Sequence, residues 1–223
     1  MEPIDLARTA VFLDFDGTIS TADTCVHLLD RLAPPEWLAI EAQYLAGAIG
    51  SRDGLRAEWA MMLGSEAERR AIANEVSLDP GVDALVHALR AAGAEVMVVS
   101  DGYGFYLEDQ IGHLAEAGVG FVTSAVDWET LELQFPNADA SCGCAQCGTC
   151  KRRPIAQAHA RGLLTVLVGD GASDRRAAEV ADVVFAKDGL AQWCASERVA
   201  FVSFTCLDDV RHALIGRDER LYR

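Results

Sequence analysis

Four short apolar runs rich in β-branched residues, at positions 10–13, 96–99, 165–168 and 183–185, are separated by stretches of helical periodicity, and a fifth run at 199–204 extends the series. Strands alternating with helices restrict a chain to a largely parallel sheet with helices on its faces, since parallel neighbours need a crossover between them. The expected fold class is α/β, a doubly wound parallel sheet, in which ligands gather at the carboxyl ends of the strands. Residues 81–92 fit one crossover helix, apolar at Val82, Leu85, Val86 and Leu89 and stopped by Gly93. Shorter helices are expected at 174–180 and 188–196, and the stretch 121–135 fits a hairpin.

Between residues 20 and 78 the pattern is helical only. Helices are expected at 24–32, 36–48, 52–63 and 66–76, with Pro34-Pro35 punctuating the second. This divides the chain into a core of residues 1–19 and 79–223 and an inserted helical cap of residues 20–78. Arg52 and Arg56, four apart, share one helix face and read as solvated, while Trp37, Trp59, Met61 and Met62 read as packing residues.

Three strands end in reactive side chains. The first runs into Asp14-Phe15-Asp16-Gly17-Thr18, the second into Ser100-Asp101-Gly102, and the third into Gly169-Asp170-Gly171-Ala172-Ser173-Asp174. Strand residues alternate faces, so Asp14 and Asp16 are expected to point the same way, and close carboxylates need a cation or a proton between them. Lys151 precedes the helix before the third strand and reaches the same edge. Several carboxylates, a hydroxyl and an ammonium suit phosphoryl transfer. The carboxylates hold Mg2+, Ser100 and backbone N–H groups hold phosphate oxygens, and a lysine neutralises the transferring charge. An acid two residues after a carboxylate nucleophile protonates the leaving oxygen and then deprotonates water.

These four segments resemble, in order and spacing, the motifs of the haloacid dehalogenase superfamily, and the resemblance spans residues 10–185. It implies Asp14 as nucleophile forming an aspartyl-phosphate, and Asp16 as general acid/base that also ligates Mg2+ through its carbonyl. Thr18 and Ser100 would bind the phosphoryl group and Lys151 would stabilise it. Mg2+ would be held by Asp14, Asp16, Asp170 and Asp174. The second acid implies a phosphatase rather than a dehalogenase. The insertion resembles the cap of the phosphoserine phosphatase subgroup, with Asp23 standing where that subgroup has a glutamate contacting the substrate amine. Asp14 to Ile19 followed by Asp23, Ala33-Pro34-Pro35-Glu36-Trp37, and cysteines running into Lys151 resemble more closely the 2-hydroxy-3-keto-5-methylthiopentenyl-1-phosphate phosphatases of methionine salvage. One departure is Ser100-Asp101-Gly102 in place of Ser-Gly-Gly, which sets Asp101 beside the phosphate site along with Gly102. Phosphoserine, phosphoethanolamine or phosphocholine, and pyridoxal phosphate are the alternative substrates. A phosphotransferase or mutase, and a non-catalytic metal-binding protein, are the alternative classes.

The expected partner is a small phosphate ester, on which the net charge says little. A formal net charge of −15 opposes binding to nucleic acid or anionic membranes. No apolar run approaches the roughly 20 residues a spanning helix needs. The acidic start Met1-Glu2-Pro3-Ile4-Asp5 lacks a signal-peptide pattern, so a cytoplasmic location is expected, as monomer or homodimer. Of seven cysteines, Cys25, Cys194 and Cys206 read as small core residues. Cys142, Cys144, Cys147 and Cys150 crowd into nine residues, where four thiolates could take structural Zn2+ and brace the loop that carries Lys151.

Overall fold

The computed structural model describes residues 4–138 and 146–216. In chain order the elements are β1 (Thr9–Leu13), α1 (Thr24–Leu32), α2 (Trp37–Leu45), α3 (Ser51–Met61), α4 (Glu66–Ala73), α5 (Val82–Ala91), β2 (Glu95–Tyr103) and α6 (Gly104–Ile111). They continue with β3 (Gly120–Asp127), β4 (Glu132–Gln134), α7 (Arg152–Ala160), β5 (Leu164–Gly169), α8 (Arg175–Ala178), β6 (Val183–Ala186), α9 (Asp188–Glu197), β7 (Val202–Ser203) and α10 (Leu207–Ile215). The sheet order is β4-β3-β2-β1-β5-β6-β7, parallel throughout except for β4, which returns antiparallel along β3. The 121–135 stretch is thus a hairpin whose first arm joins the main sheet.

β1 lies at the centre because every one of its residues is buried and both its edges are paired. Val11 sits opposite Val96 of β2 and Val166 of β5. Alternation along this strand feeds two cores. Val11 and Leu13 join Leu85 and Leu89 of α5 and Val210 of α10. Ala10 and Phe12 join Ile155 of α7, Ala177 of α8 and Leu190 of α9. Each fully buried Val, Leu or Phe contributes about 1.5–3 kcal/mol relative to exposure, so the central strand is held from both faces.

Some elements differ from expectation. The 199–204 run pairs only at Val202–Ser203, against the edge of β6. β2 runs on through Ser100, Asp101 and Gly102 to Tyr103, with a register shift against β3 between Val99 and Tyr103. There the hydroxyls of Thr123 and Ser124 donate to the Gly102 carbonyl at 3.0 and 2.8 Å, replacing ladder bonds. α6 follows at once and α10 closes the fold.

Helices α1 to α4 occupy the stretch between β1 and α5 in which an insertion is expected. An isolated antiparallel bridge between Ser20 and Leu78 brings its two ends together. It rests on the body through Trp59 of α3, whose ring meets those of Tyr103, Phe105 and Trp128 at 5.0, 6.3 and 5.8 Å and whose indole N–H donates to the Leu131 carbonyl at 2.7 Å. Among the described residues no helix is long and apolar enough to cross a membrane.

Candidate active site

The carboxyl ends of β1, β2 and β5 converge under the insertion around a cavity of about 240 Å3, lined by Asp14, Asp16, Ser100, Asp101, Gly102 and Asp170 from the sheet side. Asp14 follows β1 directly. Its Oδ1 accepts the Phe15 N–H at 2.7 Å and faces the Lys151 ammonium at 2.7 Å. Lys151, only 5% exposed, also donates to Asp174 Oδ1 and to Ser173 Oγ, each at 2.8 Å. Burial alone would lower Lys151, but the charges of Asp14, Asp174 and Asp101 override it and hold the ammonium above the usual lysine range.

Asp174 is fully buried at the start of α8. Its Oδ2 accepts the N–H groups of Asp170 and Gly171 at 3.2 and 3.3 Å, which aims the glycine-rich turn after β5. Asp170 receives the Thr18 hydroxyl at 2.8 Å. Burial, then the charge of Asp174, push Asp170 up to about 6, against the Thr18 bond and Lys151. Burial, then Asp174, raise Asp14 well above the carboxylate range as well. Oxygens of Asp14, Asp170 and Asp174 all lie within 4.8 Å of one another. Three hard oxygen donors that repel one another in a buried site fit a divalent cation such as Mg2+.

Asp14 and Asp16 open on the same cavity, though both lie beyond the strand and take different partners. β1 ends at Leu13 and the chain turns at Gly17, whose φ is +72°. A side chain at Gly17 would be strained, and its Cβ would overlap Asp170. Asp16 therefore lines the same cavity but belongs to a second group, with Asp23 and Cys25. Its Oδ2 accepts the Tyr106 hydroxyl at 2.6 Å and its Oδ1 the Thr24 N–H at 2.9 Å. Burial, then the Asp23 charge, push Asp16 up to about 7, while those two bonds oppose the shift.

Ser100 is buried and lines the cavity, its Oγ accepting the Gly102 N–H at 2.9 Å. Gly102 must lack a side chain, because a Cβ would collide with Tyr106 Oη and Asp16 Oδ2. Thr18, expected to bind the phosphoryl group, faces Asp170. It is fully buried, is absent from the cavity wall, and its hydroxyl is committed to Asp170. Asp101 lines the cavity and its Oδ1 accepts the Thr149 N–H at 2.6 Å. Asp23 opens onto the cavity while its Oδ1 caps α1 through the Val26 N–H at 2.9 Å.

Cys142 and Cys144 lie outside the described residues. Cys147 is half-buried and Cys150 buried, in the segment before Lys151. The start of α3 is tied to that segment three times. The Gly148 N–H donates to Ser51 Oγ at 3.0 Å, the Arg52 N–H to the Gln146 carbonyl at 3.1 Å, and the Arg52 guanidinium to the Cys147 carbonyl at 3.2 Å. Arg56 stacks over Phe135, so neither arginine faces the cavity.

Sequence reading passed over Tyr106, Glu41 and Glu58. Glu58 was legible in principle: Ser51, Leu55, Glu58 and Met62 follow a helical stripe of buried positions, and a carboxylate on such a stripe is conspicuous. Cys25 packs against the core, as read, and also lines the cavity, with Sγ 3.2 Å from Tyr106 Oη.

Residues 11–179 match the model of the haloacid dehalogenase-like hydrolase family. The chain is 29% identical over 208 residues to a 2-hydroxy-3-keto-5-methylthiopentenyl-1-phosphate phosphatase from Brevibacillus brevis, covering 91% of this chain and 93% of that one. A protein of the same name from an Exiguobacterium species is 28% identical, covering 93% and 98%. Among solved structures, a phospho-aspartyl intermediate analogue of phosphoserine phosphatase superposes with a TM-score of 0.71 at 18% identity, over 93% of this chain and 99% of that one.

Proposed function

Since this chain belongs to the haloacid dehalogenase-like hydrolase family, we propose that it is a Mg2+-dependent phosphomonoesterase working through an aspartyl-phosphate on Asp14. One observation carries the reading. Asp14 stands between a buried lysine at 2.7 Å and two further carboxylates with metal-ligand spacing, while Asp16, turned to a separate group, is free to hold a proton. Asp14, Asp170 and Asp174 would hold Mg2+, which when bound supplies charge neutralisation between a carboxylate nucleophile and a phosphate dianion.

An Asp14 oxygen attacks phosphorus, the ester P–O bond breaks, and the departing alkoxide takes the proton of Asp16. Ionised Asp16 then removes a proton from water. The resulting hydroxide attacks phosphorus, the bond to Asp14 breaks, inorganic phosphate leaves, and Asp16 is again protonated. Its value of about 7 suits both roles near neutrality. Lys151 holds Asp14 in place and balances charge as the phosphoryl group transfers, and Ser100 with the neighbouring N–H groups receives the phosphate oxygens. Helices α1 to α4 act as the cap that excludes water.

The named relatives make the methylthiopentenyl ester the first substrate to assay. Phosphoserine fits less well, because it carries a carboxylate and no Lys or Arg side chain lines the described cavity. Asp14→Asn tests the reaction: Mg2+-dependent hydrolysis of an aryl phosphate should vanish while the thermal melt stays cooperative. Retained turnover would remove Asp14 as nucleophile.

A further inference from the structure

The insertion side of the cavity carries acids that the reaction does not use. Glu58 of α3 is 5% exposed, lines the cavity, and its Oε1 has no hydrogen-bond partner. Glu41 of α2 and Asp23 line the same space. Burial, then the charges of Glu41 and Asp23, push Glu58 up to about 7, and burial followed by Asp23 raises Glu41. The three carboxylates share one cavity, and the charges of Glu41 and Asp23 oppose ionisation of Glu58.

At the sheet side the acids are answered by Lys151 and by a site that fits Mg2+. At the insertion side no ion pair among the described residues answers Glu58 or Glu41. The nearby Arg69 points elsewhere, donating to the Met62 carbonyl at 2.8 Å and stacking 4.2 Å over the Trp59 ring. An unpaired buried carboxylate is costly, and a ligand that brings the missing positive charge removes that cost on binding. Leu29, Leu45 and Leu55 complete the wall, which suits a short alkyl chain between the phosphate and the charge.

Resting on the phosphomonoesterase reading, we infer that Glu58, with Glu41, recognises an ammonium group, so that the substrates are phosphate esters of small amino alcohols without a carboxylate. The phosphate end docks at Asp14 and the ammonium end at Glu58.

Calorimetric titration of the full chain in Mg2+ with 3-aminopropylphosphonate and with butylphosphonate tests this. The two ligands match in shape, differ in charge and resist hydrolysis. A hydrogen bond to a charged group in a buried site corresponds to roughly ten- to a hundredfold in affinity, so the amine is expected to bind at least about tenfold more tightly. In Glu58→Gln that ratio is expected to fall toward one, with Glu58→Asp keeping part of it. Equal or tighter binding of butylphosphonate to the wild type overturns the inference and leaves the uncharged methylthiopentenyl ester as the better reading. A preference that survives intact in a folded Glu58→Gln protein removes Glu58 from the recognition. Hydrolysis of p-nitrophenyl phosphate reports on the reaction separately: an ammonium preference without any Mg2+-dependent turnover would sink the phosphatase reading and spare the binding site.

Discussion

Replacing Tyr106 with Phe should move the pH dependence of the reaction upward. The Tyr106 hydroxyl donates to Asp16 Oδ2 at 2.6 Å, and the residue is fully buried among the rings of Phe15, Tyr103 and Phe105, so a phenylalanine fits the same space. The bond stabilises ionised Asp16 and opposes the upward pull of burial and Asp23. A hydrogen bond to a charged group is worth about 1.5–3 kcal/mol, and 1.36 kcal/mol corresponds to one pKa unit, so its loss raises Asp16 by roughly one to two units. Asp16 then moves from about 7 to roughly 8–9. With an alkyl phosphate, kcat/KM needs protonated Asp16, and its alkaline limb should shift up by that amount. With an aryl phosphate, whose leaving group needs little protonation, hydrolysis of the aspartyl-phosphate needs ionised Asp16. Its acid limb should also rise, cutting kcat at about pH 6 by roughly ten- to a hundredfold. Limbs that stay in place, or move down, would show that the phenol does not set the proton affinity of Asp16.

Three further outcomes follow from the same geometry. Gly102→Ala drives a methyl group into Tyr106 Oη and Asp16 Oδ2, and a displacement of that kind should lower kcat/KM by about a hundredfold with an unchanged far-ultraviolet spectrum; near-normal turnover contradicts it. Lys151→Met strands Asp14 and Asp174 without their cation and should cost about 3–5 kcal/mol in urea unfolding at neutral pH, part of it recovered by added Mg2+; an equally stable variant would refute the ion-pair argument. Asp16 is raised to about 7 in the folded chain, so its contribution to stability is full below its ordinary value near 4 and is lost as pH rises through the folded value. In chelator, the melting temperature of Asp16→Asn relative to wild type should therefore climb across that window, and a falling difference would reverse the sign.

Much of the architecture is legible because the signals are local. Each buried strand is a short apolar run, and the reactive residues follow it within a few positions, so Asp14, Ser100 and Asp170 are placed at one edge by strand–helix alternation alone. What escapes is pairing across long stretches of chain. Tyr106 meets Asp16 across 90 residues and Thr18 meets Asp170 across 152, and no periodicity carries that information. Asp101 meets the Thr149 N–H across 48 residues, a partner that its place beside Ser100 does not announce. Asp14 and Asp16 do open on one cavity, but the strand stops at Leu13, three residues short of Asp16, and no alternation tells that the two carboxylates take separate partners. α6 escaped because Gly104-Phe105-Tyr106-Leu107 reads as a continuation of a strand, and its start has no side-chain cap.

The three ties between the start of α3 and residues 146–148 bear on how parts of this molecule can be exchanged. Ser51 and Arg52 hold the segment that delivers Lys151, and Asp101 grips the same segment from β2. A chimera that imports a different helical insertion to change specificity would inherit a foreign grip on the lysine unless residues 146–150 travel with it. The exchangeable unit is discontinuous, two pieces of chain separated by β2, β3 and β4, and successful grafts should be those that move both.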